Sequence, residues 1–592
     1  MRSLPAAGHR DRNGAANAAE RKTREGGDIL SATQATSECE KLELRVEQTV
    51  NPWLVTMTVI LATFMELLDT SIANVALPHI AGNLSSTIDE STYVLTSYLI
   101  ANAIILPLSG WFSETFGRKR FYMGCVVIFT FSSLCCGMAP SLSALVFCRI
   151  IQGLGGGGLQ PSAQAIIADT FPKDKLSMAF SVYGMAVVVA PAIGPSLGGW
   201  VTDNYSWRWL FYVNVPLGII SLLLTSRLIH EHPRGENLPP NASGVDWQGM
   251  GLLALGLGAL EFVLDRGQED DWFGSERITV LAIVSAVSII AVICRELMIE
   301  NPIVDLRLFR QRNYSLANIL VFFLGFMLAG STVLLPQFLQ TLMGYSATLS
   351  GNVLTPGASV YMLILPIVAM LIRRTGPRPF LIVGYTIVGI SMWLIARLNL
   401  NVDFATVAEV RIVTLIGLAC LFTPISLVCY SSVPPGKNNA ASALYNLLRN
   451  LGASVGVAAV TTIVTRRAQI HQSRLVEHIT VGSPLYQTWI AQTSRYIRLR
   501  GNGLGTPTGR ATALLYRLVV KQATTMAYLD TFWILGTVCF IMPIFALLLR
   551  RVAAPPKAPE CKVPTTNFPV KAADSQCNGN RQNLHVEEAI TH

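Results

Sequence analysis

The run Val280-Leu-Ala-Ile-Val-Ser-Ala-Val-Ser-Ile-Ile-Ala-Val-Ile-Cys294 contains no charged residue. A strand of a membrane barrel would alternate apolar and polar positions, and this run is continuous. In hydrocarbon every backbone group has to be satisfied within its own segment, so a block of this kind is helical. A crossing takes about 20 mostly apolar residues, and blocks of that length recur along the chain. They explain the composition: of 592 residues, 51% are hydrophobic and 14% charged. An ordinary soluble protein carries roughly 25% charged residues. Length alone would suggest roughly four soluble domains. The gathering of apolar residues into blocks excludes that reading, and with it a disordered scaffold and a disulfide-rich secreted protein.

Outward from this run the sequence divides into fourteen expected spans, with ends placed to within a few residues. Six lie near 53–76, 92–112, 121–139, 142–166, 178–201 and 208–228, and two near 247–264 and 277–294. Six more lie near 315–338, 350–372, 380–398, 405–430, 439–464 and 525–549. The expectation is an all-α polytopic membrane protein: two six-helix bundles with two inserted helices. A polar, mixed-charge tail over 1–51 is read as disordered and cytoplasmic. The first bundle covers 52–230, the inserted pair 231–295, a cytoplasmic linker 296–312, and the second bundle 313–550 with a long outer loop at 466–521. A second cytoplasmic tail covers 551–592. The first apolar block begins near Trp53, so no cleavable signal peptide is expected at the N-terminus.

The net charge is +9, but its placement says more. Bases concentrate in alternate short loops, among them Arg118, Lys119, Arg120, Arg307, Arg310, Arg312, Arg373, Arg374, Arg378 and Lys437. The loops 77–91 and 341–352 have none. Bases mark the cytoplasmic side, so both tails are expected inside. There is no basic stripe interleaved with aromatics, which argues against nucleic-acid binding. Of 11 cysteines, most lie in apolar blocks, where Cys behaves as a small hydrophobe. None has zinc-site spacing, so neither a metal nor another cofactor is expected.

Four motifs stand out. In the first span Glu66-Leu-Leu-Asp69-Thr70 sets two carboxylates three residues apart, on one helix face. Charges at membrane depth are costly and point to function. Burial and a neighbouring carboxylate both favour the protonated acid, the chemistry of a reversible proton carrier. The bland alternative is a hydrated pair near the outer end, with Asn74 and Pro78 ending the helix. The second motif is Gly110-Trp-Phe-Ser-Glu114-Thr-Phe-Gly117-Arg118-Lys119-Arg120. Its glycines allow a tight turn, and its acid can pair with a base to hold one conformation closed. It is read as a gate. A weak echo, Arg374-Thr-Gly376-Pro-Arg378, follows the second span of the last six and suggests two related halves.

The third motif is Arg149-Ile-Ile-Gln152-Gly153-Leu-Gly155-Gly156-Gly157-Gly158. Residues 153–158 spell a dinucleotide fingerprint, but that needs a βαβ setting. Inside a membrane span, glycines that admit a neighbouring helix are the better account. Arg149 near mid-span needs a carboxylate, a carbonyl or a water-filled cavity. The fourth lies in the fifth span: Gly184, Pro191, Gly194, Pro195, Gly198 and Gly199. Each proline removes a helix bond, and a hinge or a static packing kink would both follow. Elsewhere Asn446 and Arg449 are candidates to line a substrate cavity or its inner mouth. Glu409 and Arg411 are read as interfacial.

Together these stretches resemble the major facilitator superfamily, in particular its fourteen-span drug:proton antiporters. Leu68-Asp69-Thr70 with Asn74-Val75-Ala76-Leu77-Pro78 is similar to that branch's first-helix motif. Gly110 to Lys119 resembles the superfamily loop motif, with Glu114 where Asp is usual. Arg149, Gln152 and Gly153 resemble a fourth-helix motif associated with proton transfer. Gly184 to Gly199 resembles a fifth-helix motif associated with antiporters. Glu66 departs from the branch, which often has an uncharged polar residue there, and leaves open whether Asp69 acts alone. Leu264-Asp265-Arg266-Gly267, Asn301-Pro302-Ile303-Val304-Asp305-Leu306 and the long outer loop resemble a narrower group of bacterial multidrug exporters. That group implies a periplasmic adaptor, an outer-membrane channel and a Gram-negative inner membrane.

The expected function is proton-coupled export of small amphipathic organic compounds across a lipid bilayer by alternating access. Asp69, with or without Glu66, is the expected proton carrier and Arg149 its coupled cation. A specific metabolite or siderophore exporter, or a non-transporting sensor, is the alternative. No nucleophile–base pair or phosphate loop suggests an enzyme. In the segment Arg466 to Lys521 the apolar residues Ile470, Leu475, Val476, Ile479, Leu485, Trp489, Tyr496 and Ile497 fall at mixed helical spacing. An adaptor-docking surface and a membrane-surface loop both remain open there.

Overall fold

A computed structural model describes residues 51–172, 175–229, 246–299, 302–434, 436–500 and 506–550. The expected tails, Asn51 and Arg550 apart, and the proline-containing stretch with Pro233, Pro239 and Pro240 lie outside the described residues. Among those residues there is no strand, and fourteen helices are long and apolar enough to cross a membrane. The first six are α1 (Pro52–Asn83), α2 (Tyr93–Phe116), α3 (Arg118–Met138), α4 (Leu142–Gly156 and Leu159–Thr170), α5 (Leu176–Asn204) and α6 (Trp209–Tyr212 and Asn214–Leu228). The inserted pair is α7 (Trp247–Arg266) and α8 (Glu276–Met298). The last six are α9 (Arg312–Thr341), α10 (Ala347–Thr375), α11 (Arg378–Ile395), α12 (Phe404–Ser431), α13 (Asn438–Glu477) and α14 (Pro507–Leu547).

Local chemistry sets several of the starts. Asn51, Ser141, Asp246, Ser346 and Thr506 each accept a hydrogen bond from a backbone N–H of the first turn that follows, satisfying a donor the helix cannot. Pro52 and Pro507 open α1 and α14, where a missing N–H costs nothing. The Arg295 guanidinium on α8 grips Asp246 at 2.8–3.1 Å and holds its carboxyl below the usual carboxylate range. The turns after α2 and α10 use the same device: Gly117 at φ 90° and Gly376 at φ 80°, conformations that disfavour a side chain. The outward face of α8 carries Val280, Ile283, Val287 and Ile290, all exposed and a helical turn apart, as a lipid-facing stripe should be.

The two halves are built alike. In the first, α5 lies so close to α1 that a Cβ on Gly194 would sit 2.3 Å from Ser71 Oγ. In the second, a Cβ on Gly452 of α13 would sit 2.0 Å from the Phe322 carbonyl of α9. The inserted pair packs against both halves. Glu261 of α7 accepts a hydrogen bond from Ser454 Oγ of α13 at 2.6 Å. Asp265 of α7 accepts one from Thr96 of α2.

Several expectations change. Asn74 and Pro78 do not end α1; it runs on to Asn83, and Leu84 N still donates to Ile80 O at 2.9 Å. One proline removes a single donor, and the turns beyond it close normally. Pro191 and Pro195 likewise sit inside an unbroken α5, and Ser71 Oγ donates to the Pro191 carbonyl at 3.1 Å. That carbonyl loses its helical donor because residue 195 is a proline, and a hydroxyl from α1 replaces it. The fourth span is one line in the sequence but two helices in space, interrupted at Gly157-Gly158. The long outer loop is mostly helix: α13 and α14 have 40 and 41 residues, and Pro484–Arg500 is a further helix. At 1.5 Å per residue each long helix spans roughly 60 Å, about twice the hydrocarbon thickness. Charged surface side chains hid this helix from a reading tuned to apolar blocks.

Candidate functional site

Asp69 and Arg149 meet in the middle of the first half, buried at 2% and 0% exposure. Arg149 Nη1 donates to Asp69 Oδ2 at 2.5 Å, and its Nε donates to the Val94 carbonyl of α2 at 3.1 Å. Its guanidinium carbon lies 4.3 Å from the centre of the Tyr98 ring, a favourable place for a cation. Asp69 Oδ1 accepts from Gln152 Nε2 at 3.0 Å and Asn214 Nδ2 at 2.7 Å. Asp69, on α1, is therefore held from α4 and α6 at once. The hydrated position near the outer end, the bland alternative for this pair, does not match this burial.

Glu66 is one turn away and differently held. Its Oε1 accepts from Asn102 Nδ2 at 3.2 Å and Gln160 Nε2 at 3.0 Å, while its buried Oε2 has no hydrogen-bond partner. Gln160 in turn accepts from Arg449 Nη2 of α13. The carboxylate is thus linked through one amide to a cation of the other half. Beside this link Gln164 and Asn446 exchange hydrogen bonds at 3.3 and 2.9 Å, and Tyr430 OH donates to Gln164 Oε1 at 2.9 Å. Asn446 and Arg449 are both buried at this contact between the halves.

The residues of the Gly110–Arg120 motif lie at the end of the bundle where the described chain begins and ends. Arg118 does not pair with Glu114. It pairs with Asp169 at the end of α4, and Asp169 also accepts from Asn438 Nδ2 at the start of α13. Glu114 is exposed and in no ion pair among the described residues. Lys119 Nζ donates to the Ser226 carbonyl of α6 at 2.8 Å. A Cβ on Gly110 would lie 3.1 Å from Ala440 Cα, so the two halves touch backbone to backbone here. Of the fifth-span residues, Gly184 abuts Phe422 of α12, Gly194 and Gly198 abut Ser71 and Ile72 of α1, and the half-buried Gly199 carbonyl accepts from Thr202.

Comparison with known proteins fits this architecture. The family model described as Major Facilitator Superfamily matches residues 59–457. The chain belongs to the major facilitator superfamily. It is 34% identical over 501 residues to "Multidrug export protein EmrB" of Escherichia coli strain K12, covering 83% of this chain and 96% of that protein. It is also 34% identical over 492 residues to "Fatty acid resistance protein FarB" of Neisseria gonorrhoeae, covering 83% and 94%. Among solved structures, the human organic anion transporter MFSD10 superposes with a TM-score of 0.53 at 13% identity, over 83% of this chain and 99% of that one. That likeness is one of fold.

Within this superfamily fold the sequence reading missed the neutral and paired partners of its charged residues. Asn214, Gln160 and Gln164 carry no charge, so nothing in a span distinguishes them from packing residues. Asp169 and Glu261 could have been found: each is an acid inside or at the end of an apolar block, the same signal that drew attention to Asp69. Arg411, expected at the interface, is 3% exposed and packed under α9; among the described residues it donates to Ser331 Oγ at 3.2 Å and Thr332 Oγ1 at 3.3 Å. Glu409 is exposed, as an interfacial residue would be.

Proposed function

We propose that this protein exports small amphipathic organic compounds by exchange for protons, through alternating access. The observation that carries the reading is the buried Asp69–Arg149 pair inside a superfamily fold. A carboxylate in that setting exchanges one proton for one ion pair. Protonation neutralises Asp69, weakens its hold on Arg149 and frees α1 and α4 to move. Glu66 joins the same helix to Arg449 across the seam, so a change at α1 reaches the other half. The Arg118–Asp169–Asn438 cluster and the Gly110–Ala440 contact act as the gate on the side of the termini. Gly184, Pro191, Gly194, Pro195, Gly198 and Gly199 serve as the packing surface on which α5 pivots. A ligand drives this cycle only if it binds the two states unequally.

The substrate class follows from the relatives, which include a multidrug exporter and a fatty acid resistance protein. The asymmetry of the bases supports a plasma-membrane protein with both termini cytoplasmic, in a Gram-negative inner membrane. A periplasmic adaptor and an outer-membrane channel are its proposed partners. The projecting end of α13 and the turn and helix that follow it, with exposed Val476, Val481 and Leu485, offer the adaptor an apolar surface. No enzymatic step is assigned.

The test is substrate-induced proton movement in energised vesicles containing the wild-type protein or Asp69→Asn. Wild type should release protons when substrate is added; the variant should insert normally and release none. Unchanged proton flux in the variant removes Asp69 from the mechanism. Deleting 478–505 should abolish crosslinking to an adaptor and spare substrate binding.

A further inference from the structure

Arg411 lies seven residues beyond Phe404, the first residue of α12, just as Arg149 lies seven beyond Leu142, the first residue of α4. Each reaches the first helix of its own half, Arg149 touching α1 and Arg411 touching α9. The surroundings then differ. Arg149 has a carboxylate; Arg411 has two hydroxyls and no carboxylate within ion-pair distance among the described residues, and each of the two leaves one guanidinium nitrogen without an acceptor there. Arg449, the other buried arginine of the second half, has Glu66 one amide away. Among the described residues Arg411 alone of the three has no acid either paired with it or one side chain away.

The guanidinium itself meets α9 of its own half, but it shares a helix face with a residue at the seam between the halves. Phe422, eleven residues further along α12, falls about three turns on and so on the same face. Phe422 packs on Tyr183 and Gly184 of α5, in the other half. Leu415, one turn from Arg411, is buried and apolar and packs against Gly357 of α10. An uncompensated cation in hydrocarbon is expensive and marks a substrate or ion pathway. A planar guanidinium with free donors is matched by a carboxylate, whose two oxygens take parallel N–H bonds.

We propose that Arg411, with Ser331 and Thr332, is an anion-recognition site that takes the carboxylate head of an amphipathic compound. This rests on the export reading and narrows it to a substrate class. A carboxylate here completes in the second half what Asp69 completes in the first.

The experiment uses the full-length protein in phosphatidylcholine nanodiscs, with dodecanoate and dodecanol as probes in isothermal titration. Wild type should bind dodecanoate more tightly than dodecanol. Arg411→Gln should weaken dodecanoate binding roughly tenfold more than dodecanol binding, the loss of one charge-assisted contact. Equal losses for both probes, or none, overturn the site. Ser331→Asp keeps Arg411 but gives it an internal carboxylate; it should exclude dodecanoate selectively, and undiminished binding again overturns the site. Dodecanoate binding should persist in phosphatidylglycerol nanodiscs. Its loss there would assign the cation to a lipid headgroup and overturn the substrate assignment. Failure of the export reading looks different: wild type binds dodecanoate, yet no proton-coupled flux appears in liposomes.

Discussion

Arg149 and Arg411 occupy matching places in the two halves of one molecule, at the same depth of matching helices, and are solvated in opposite ways. The first half surrounds its arginine with an acid, a backbone carbonyl and an aromatic ring. The second offers two hydroxyls. A buried ion pair costs desolvation on both partners and recovers it only if each remains paired. The first half has met that condition internally. The second has left it unmet, so on the proposed reading the first half is a self-contained proton site and the second a site whose partner comes from outside. Repeated architecture supplies two positions; side chains divide the labour between them.

The comparison breaks most visibly at Asp69. Asp69→Ala leaves Arg149 buried without its counter-ion and should destabilise the protein by about 3–5 kcal/mol, read as a lowered midpoint in thermal unfolding of the purified protein. Asp69→Asn should cost less, because an amide still meets Gln152 and Asn214. Arg411→Met should move the other way. Removing a cation that has no counter-ion relieves its desolvation, and an apolar side chain of similar volume should leave stability unchanged or raise it by about 1 kcal/mol. If Arg411→Met is as damaging as Asp69→Ala, the two hydroxyls are a sufficient shell and the contrast fails.

Fold and site differed in how far the sequence exposed them. Fourteen apolar blocks declare fourteen helices because hydrocarbon permits little else, and the run from Val280 to Cys294 is one helix in space as in the text. Helix outside the hydrocarbon carries no such mark, so the ends of α13 and α14 and the helix Pro484–Arg500 were read as loop. At the site, Glu66, Asp69 and Arg149 were legible because charge at membrane depth is rare. Whether two such charges touch was not, since the 80 positions between Asp69 and Arg149 fix no distance. Arg411 shows the limit. Seven residues from a helix end looks interfacial in one dimension, and only the packing of α9 over it reveals burial.

A smaller effect sharpens the comparison by copying one half onto the other. Ser331 Oγ lies 3.2 Å from Arg411 Nη1, so an aspartate there would stand to Arg411 as Asp69 stands to Arg149. Ser331→Asp should therefore stabilise the wild-type background and destabilise the Arg411→Met background, where it buries a lone acid. A double-mutant cycle should give a favourable coupling of about 1–2 kcal/mol, within the range for contacting residues. A coupling near zero would mean that a carboxylate at position 331 does not engage the guanidinium.

The smallest expected effect is at Glu66, which stands between the two extremes. Its Oε1 is held by two amides, its Oε2 by nothing, and its cation is one amide removed. Glu66→Gln keeps the shape and retains an oxygen that can accept from Asn102 and Gln160. Its amide nitrogen replaces the unpartnered oxygen and loses little. Stability should fall by about 1 kcal/mol or less, the net worth of one hydrogen bond, again by thermal unfolding. The more telling readout is coupling to Arg449: if Glu66 ties α1 to α13 electrostatically, Arg449→Gln should be more harmful when Glu66 is charged than in the Glu66→Gln background. Additive losses would make Gln160 a simple packing contact and leave Asp69 as the one of the two α1 carboxylates with a dedicated cation.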